Sequence, residues 1–110
     1  MTTERHALVV DVRPELREEY LELHAAVWPQ VEATLRDCNV GNYSIFILEN
    51  TLFAYYEYVG EDHEGDLALV DSDPVTQDWL RRTGPCQTAF GRDARPGDGW
   101  RALDEVWHLA

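Results

Sequence analysis

The segment YLELHAAVWP, residues 20–29, places three aromatic side chains on one side of a predicted helix. Because residues four apart lie on the same helix face, Tyr20, His24 and Trp28 form a single stripe. An imidazole can gain or lose a proton near neutral pH, and its two neighbours each combine an apolar ring with one polar atom. The stripe therefore predicts a surface that holds a ligand with one flat side and one polar side.

A structural role is the alternative for His24. At about 100° per residue, this side chain lies at the edge of the helix arc that is predicted to be buried. That arc comprises Leu16, Tyr20, Leu23 and Val27. Lone histidines in such positions are more often structural than catalytic. A cleft beside the imidazole would favour catalysis, whereas a ring at the surface without a cavity, or one held in the interior by main-chain groups, would argue against it.

Outward from this segment, hydrophobic patterning predicts further strands and helices. Pro14 favours a helix start, Pro29 is expected to break that helix at Trp28, and Asp73-Pro74 predicts another start. The predicted strands cover 7–12, 42–48, 52–59 and 100–109, with a tight turn at 49–50. The predicted helices cover 14–28, 29–37 and 66–70, and a last helix runs from 74 until Thr83-Gly84-Pro85 interrupts it.

This order of elements is that of the ferredoxin-like βαββαβ fold, an α+β fold with a four-stranded antiparallel sheet and helices on one face. A chain of 110 residues fits one domain, over 1–110. Several strands are apolar on both faces, whereas the helices cover only one, so a second copy is expected to cover the other. We therefore predict a homodimer joined through the sheet face, a dimeric α/β barrel.

The composition narrows the classes of partner. Twenty-one acidic residues against nine basic ones give a formal net charge of -12, which excludes nucleic acid and anionic membranes as favoured partners. The sequence has neither a membrane-length apolar run nor a signal-peptide core at its start. Cys38 and Cys86 are too few for a disulfide framework. We therefore expect a cytoplasmic protein.

Candidate binding residues lie outside the first segment as well. Tyr43 is expected in the core, or else its hydroxyl points with that of Tyr20 into a shared pocket. Trp79 is also expected in the core, or else it lies opposite Tyr20 as a flat platform of the kind on which sugar rings stack. Glu57 and Glu105 are carboxylates among apolar neighbours and each need a partner if half-buried, although a solvent-facing position is the alternative.

Cofactor motifs are not apparent in the sequence. His6, His63 and His108 share no metal-ligand spacing, so no metal is predicted. A phosphate-cradling glycine loop and a nucleophile elbow are also missing. The segment 91–99 reads as an exposed loop.

The chain resembles the L-rhamnose mutarotase family, weakest over 84–100. The resemblance rests on residues 19–29, 42–45, 52–54, 73–79 and 105–109. It implies a dimeric ferredoxin-like fold, a monosaccharide substrate and no cofactor. It also implies His24 as the proton donor and Tyr20, Tyr43 and Trp79 as sugar-contacting residues. The family usually has a second tryptophan where this chain has Leu80.

The implied reaction interconverts the α and β anomers of L-rhamnose, or of a related deoxy sugar such as L-fucose, by acid–base catalysed ring opening. Two alternatives remain open at this point. One is a cofactor-free monooxygenase or polyketide cyclase, because related dimeric sheets host those reactions and a shared fold cannot separate them. The other is a non-catalytic sugar-binding dimer, for which Leu80 in place of the tryptophan is the argument.

Overall fold

An antiparallel sheet carries the helices on one face. The structure is a computed structural model that describes residues 2–91, 93–94 and 99–110. Its strands are β1 (Glu4–Val12), β2 (Val40–Leu48), β3 (Thr51–Tyr58), β4 (Gln87–Thr88) and β5 (Arg101–Leu103). Its helices are α1 (Arg17–Ala25), α2 (Pro29–Asp37), α3 (His63–Ser72) and α4 (Pro74–Thr83). The strand order is β2-β3-β1-β4, and β5 also pairs with β1. The predicted ferredoxin-like α+β class is confirmed.

Alternate residues of the central strands form the core beneath the helices. Val10 and Leu52 are opposite each other in the β1–β3 register and pack with Tyr20 of α1 in one cluster. A second cluster lies at the other end of the sheet, around Tyr56 and Tyr58 of β3. Since successive strand residues point to opposite faces, these residues define the helix-covered face of the sheet.

The helix boundaries follow the proline and aspartate signals. Trp28 is extended, with ψ 129°, and α2 begins at Pro29, so the predicted break is confirmed. The Asp73 side chain accepts a hydrogen bond from the Thr76 backbone N–H at 2.8 Å, as an N-cap does. Asp62 caps α3 in the same way. Because of this cap α3 begins at His63, earlier than the predicted start at residue 66.

The C-terminal segment differs from the prediction. A strand over 100–109 was expected, but β5 ends at Leu103, and the two-residue strand β4 was not predicted. Leu103 is opposite Ala7, and β1 begins at Glu4, so antiparallel pairing could continue for three more residues at most and could not reach the predicted end at 109. The residues that follow have no regular secondary structure and are exposed, Val106 to 97% and Trp107 to 76%. Of the predicted loop 91–99, positions 92 and 95–98 lie outside the described residues.

The β2 strand forms one edge of the sheet and is irregular near its start. Its register with β3 shifts between Gly41 and Ser44, and Asn42 has φ 45°. Such a bulge bends and twists a strand locally. Within the described residues, no helix is long and apolar enough to cross a membrane.

We expect Asp73→Ala to lower the free energy of unfolding by about 1 kcal/mol, because the N-cap hydrogen bond to Thr76 is lost. Asp71→Ala is the matched control, since Asp71 is an exposed aspartate in the last turn of the preceding helix. Urea unfolding of both variants measures the difference, and equal stabilities would contradict the capping role.

Candidate functional site

Three of the four predicted site residues meet between α1 and α4. The Tyr20 and His24 rings stack with centroids 4.2 Å apart. The Trp79 indole contacts His24 edge-on at 5.2 Å and Trp28 at 5.3 Å. Tyr20 and Trp79 are 2% and 6% exposed, whereas His24 is half-buried. The imidazole therefore lies at the boundary between the core and solvent, with a ring on each side.

One nitrogen of His24 is engaged by the main chain. Nδ1 lies 2.9 Å from the Tyr20 carbonyl oxygen. A carbonyl can only accept, so Nδ1 carries the hydrogen and Nε2 is the nitrogen left for proton exchange. The Tyr20 carbonyl thus holds the ring and fixes its tautomer. Because it engages only Nδ1, Nε2 is left for proton exchange.

Burial sets the protonation behaviour of the site. It lowers the pKa of His24, and the hydrogen bond to the Tyr20 carbonyl opposes this in part. Burial also raises the pKa of Tyr20 to about 12, against a smaller opposite effect of the Gln87 side chain. At neutral pH the imidazole is therefore mostly uncharged, and the Tyr20 phenol keeps its proton.

Tyr43 approaches this group from the sheet. It lies on the helix-covered face of β2 and stacks on Tyr56 at 5.4 Å. Although 41% of Tyr43 is exposed, burial raises its pKa to about 12. Its phenol is also near enough to raise the pKa of Tyr20. The two phenols thus belong to one region, but direct ring contact links only Tyr20, His24 and Trp79 among the predicted residues.

The sequence did not reveal two neighbours of the group. The Arg82 guanidinium lies over the Trp28 ring, 5.5 Å from its centroid, which is cation–π geometry. The Gln87 side chain forms a hydrogen bond with the Tyr20 hydroxyl. The helical spacing of Arg82 from Trp79 was a weak signal. No sequence signal pointed to Gln87, because strand β4 was not predicted.

Neither of two cavities that border described residues includes His24. One, of about 280 Å³, is lined by residues around Phe90, Trp100 and Arg101. The other, of about 210 Å³, lies around Arg36, Asn42 and Glu57. The cleft that was expected beside His24 is therefore not one of these two cavities, and a ligand would have to approach the half-buried edge of the imidazole.

Glu57 and Glu105, the two carboxylates that the sequence analysis singled out, have partners on the face of the sheet away from the helices. Glu57 accepts hydrogen bonds from Asn42 at 2.9 Å and from the Tyr55 hydroxyl at 2.7 Å. Glu105 forms an ion pair with Arg5 at 2.7 Å. They lie apart from the aromatic group and are accounted for as surface polar contacts.

Two histidines that are far apart in the sequence, His6 and His63, lie side by side in the folded chain. The rings of His6 and His63 stack at 4.0 Å with an interplanar angle of 5°. Strand β1 brings one and the start of α3 brings the other, so sequence spacing could not show their proximity.

The fold and the ring group define a small ferredoxin-like α+β protein with a histidine held between aromatic side chains. The family model for L-rhamnose mutarotase matches residues 5–109. The chain therefore belongs to the L-rhamnose mutarotase family, as the sequence predicted.

Individual relatives agree with this. An L-rhamnose mutarotase of Shigella flexneri serotype 5b is 38% identical over 79 residues, which cover 70% of this chain and 73% of the relative. The solved structure of an L-rhamnose mutarotase from Formosa agariphila superposes with a TM-score of 0.74 at 28% identity, over 97% of this chain and 99% of the other. Tetracenomycin F2 cyclase from Streptomyces glaucescens shares the fold, with a TM-score of 0.64 at 18% identity over 97% and 99% of the two chains.

An NMR titration of the imidazole resonances should give a pKa for His24 below 6.5, because burial disfavours the charged ring. The unfolded chain then binds this proton more readily than the folded chain does, so stability decreases as pH falls from about 6.5 towards the lowered pKa. A measured His24 pKa above 6.5 would contradict the half-buried placement.

Proposed function

We propose that this protein interconverts the α and β anomers of L-rhamnopyranose, with His24 as the residue that exchanges a proton with the sugar. The observation that carries the proposal is the single available nitrogen, Nε2, of an imidazole held between Tyr20 and Trp79. Membership of the L-rhamnose mutarotase family supports the substrate class.

The proposed reaction opens and recloses the pyranose ring. Protonated His24 donates from Nε2 to the ring oxygen while the bond from C1 to that oxygen breaks, and a base takes the proton of the anomeric hydroxyl. The aldehyde forms, rotates about the C1–C2 bond and is attacked by the freed hydroxyl on its other face. His24 then recovers its proton, and the base returns its own. Protons and electrons balance, so a turnover leaves the enzyme unchanged.

The lowered pKa of His24 suits the acid role. A pyranose ring oxygen is a very weak base, so a stronger acid than ordinary imidazolium transfers its proton more readily. The cost is a smaller charged fraction at neutral pH, and the best pKa balances these two effects near the working pH. Water, a tyrosine hydroxyl and a carboxylate are the candidates for the base that takes the anomeric proton.

The remaining residues would bind the sugar. Tyr20 and Tyr43, whose pKa values are raised to about 12, stay protonated at neutral pH and offer hydroxyl donors to sugar hydroxyls. The Trp79 indole would contact the apolar side of the pyranose or its methyl group through the edge that remains exposed.

His24→Gln should reduce the enzyme-dependent rate of anomer exchange by roughly 10²–10⁴-fold, which is what general acid–base catalysis contributes. Saturation-transfer NMR with L-rhamnose and L-fucose measures exchange above the spontaneous rate. His108→Gln is the control, because His108 lies near Glu57 and Glu105 and not near the aromatic group. A folded His24→Gln protein with parental exchange rates would refute the assignment.

The same assay also separates catalysis from binding alone. Sugar titration followed by tryptophan fluorescence reports on all four tryptophans, two of which, Trp28 and Trp79, belong to the aromatic group. Fluorescence change without anomer exchange in the parent protein would favour the non-catalytic sugar-binding dimer. Exchange lost in His24→Gln with sugar binding retained would support the enzyme.

The pH profile distinguishes the acid role from a base role. If imidazolium donates first, kcat/KM decreases as pH rises through the lowered pKa of His24, because the donor form disappears. If the neutral ring instead took the anomeric proton first, kcat/KM would increase over the same range. We expect the decrease, measured after subtraction of spontaneous mutarotation at each pH.

We further propose that two copies associate through the uncovered sheet face. Phe46 and Leu48 of β2 are 63% and 67% exposed on the face away from the helices, and Phe53 lies beside them. Large apolar side chains grouped on a sheet face favour burial against a partner. A ferredoxin-like protein described as dimeric shares this fold, with a TM-score of 0.59.

A double variant, Phe46→Lys with Leu48→Lys, should shift the protein from dimer to monomer in light scattering at micromolar concentration. Two charges on the open face would have to be desolvated in a dimer. Leu69→Lys is the control, since Leu69 on α3 is 59% exposed but lies on a helix. A monomeric parent protein would contradict the proposed dimer.

A further inference from the structure

A group of three possible metal ligands lies at the N-terminal end of β1, outside the proposed sugar site. Glu4 and His6 come from β1, and His63 is the first residue of α3. Their ligand atoms all lie within 4.8 Å of one another. Glu4 contacts His6 directly, with Oε1 and Nε2 at 3.1 Å.

We propose that Glu4, His6 and His63 form a site for a divalent transition metal, with Zn²⁺ as the best fit. Two imidazoles and one carboxylate are a known zinc donor set that leaves a fourth position for water. The same donors also suit Co²⁺ and Ni²⁺, but not Mg²⁺ or Ca²⁺, which prefer oxygen ligands. This revises the expectation from sequence spacing that no metal is bound.

The rearrangement needed is confined to side chains. Ligands about 2.0–2.2 Å from a tetrahedral ion lie roughly 3.3 Å from one another, so the donors must approach by no more than about 1.5 Å. The stacked rings of His6 and His63 must also turn, because a metal lies in the plane of each imidazole. Glu4 is exposed and both histidines are half-buried, so their side chains have room for this motion.

The surroundings already resemble those of a metal site. The Tyr56 hydroxyl lies 2.7 Å from Nε2 of His63, and ligating histidines commonly bond a second group through the other ring nitrogen. The net charge of -12 further favours cations.

Metal binding at this position would tie the start of α3 to the start of β1. It would also stiffen Tyr56, which contacts both His63 and Tyr43. The expected effect is therefore on stability, and the test needs neither the sugar nor anomer exchange.

The experiment uses untagged full-length protein. Isothermal titration with ZnCl₂ should give one site per chain with a dissociation constant in the micromolar range, and saturating Zn²⁺ should raise Tm by several degrees. Co²⁺ should produce the visible absorption of a tetrahedral ion, and MgCl₂ should have no effect. His6→Gln and His63→Gln should each weaken Zn²⁺ binding by roughly tenfold or more, whereas His108→Gln should not.

A measurement on the parent protein tests the site even if the variants fail to fold. Zn²⁺ should shift the imidazole NMR resonances of His6 and His63 and leave those of His24 and His108 in place. The proposal is overturned if Zn²⁺ binds more weakly than millimolar, if it shifts other histidines instead, or if a folded His63→Gln protein binds as tightly as the parent.

Discussion

Tyr20 connects the packing of the protein to its proposed chemistry. Its ring is buried against Val10, Val12 and Leu52, which come from two central strands. Its carbonyl oxygen accepts the hydrogen bond that fixes the orientation of His24. Because one residue serves both purposes, the position of the imidazole is determined by the core and not by the flexibility of its own side chain.

This arrangement also explains the choice of aromatic residues in the stripe. An aliphatic residue at position 20 could pack in the core, but it would not offer a flat surface to the imidazole at 4.2 Å. Trp79 approaches from α4 on the other side. The two rings exclude water from part of the imidazole, and this desolvation is the main cause of its lowered pKa. Packing therefore sets the acidity as well as the place of His24.

The sequence predicted the parts of this structure that depend on local patterns. Helical spacing grouped Tyr20, His24 and Trp28, Pro29 marked the break between α1 and α2, and Asp73 marked a cap. The parts that it missed depend on distant segments. The possible length of β5 is limited by where β1 begins, and the contact of His6 with His63 requires β1 and α3 to be assembled. Tyr43 and Trp79 were assigned to sugar contact through the family resemblance, because the residue pattern alone left open whether each is an ordinary core residue.

The bulge in β2 has a consequence for behaviour at high concentration. An edge strand presents a row of free amide and carbonyl groups that can template the addition of strands from other molecules. In this chain β2 is such an edge, and it carries large apolar side chains further along. The register shift between Gly41 and Ser44 interrupts the regular row of main-chain groups at one end of that edge. The irregular start of the strand thus limits the length available for fibril-like stacking, and it protects against uncontrolled polymerisation without removing the apolar surface beside it.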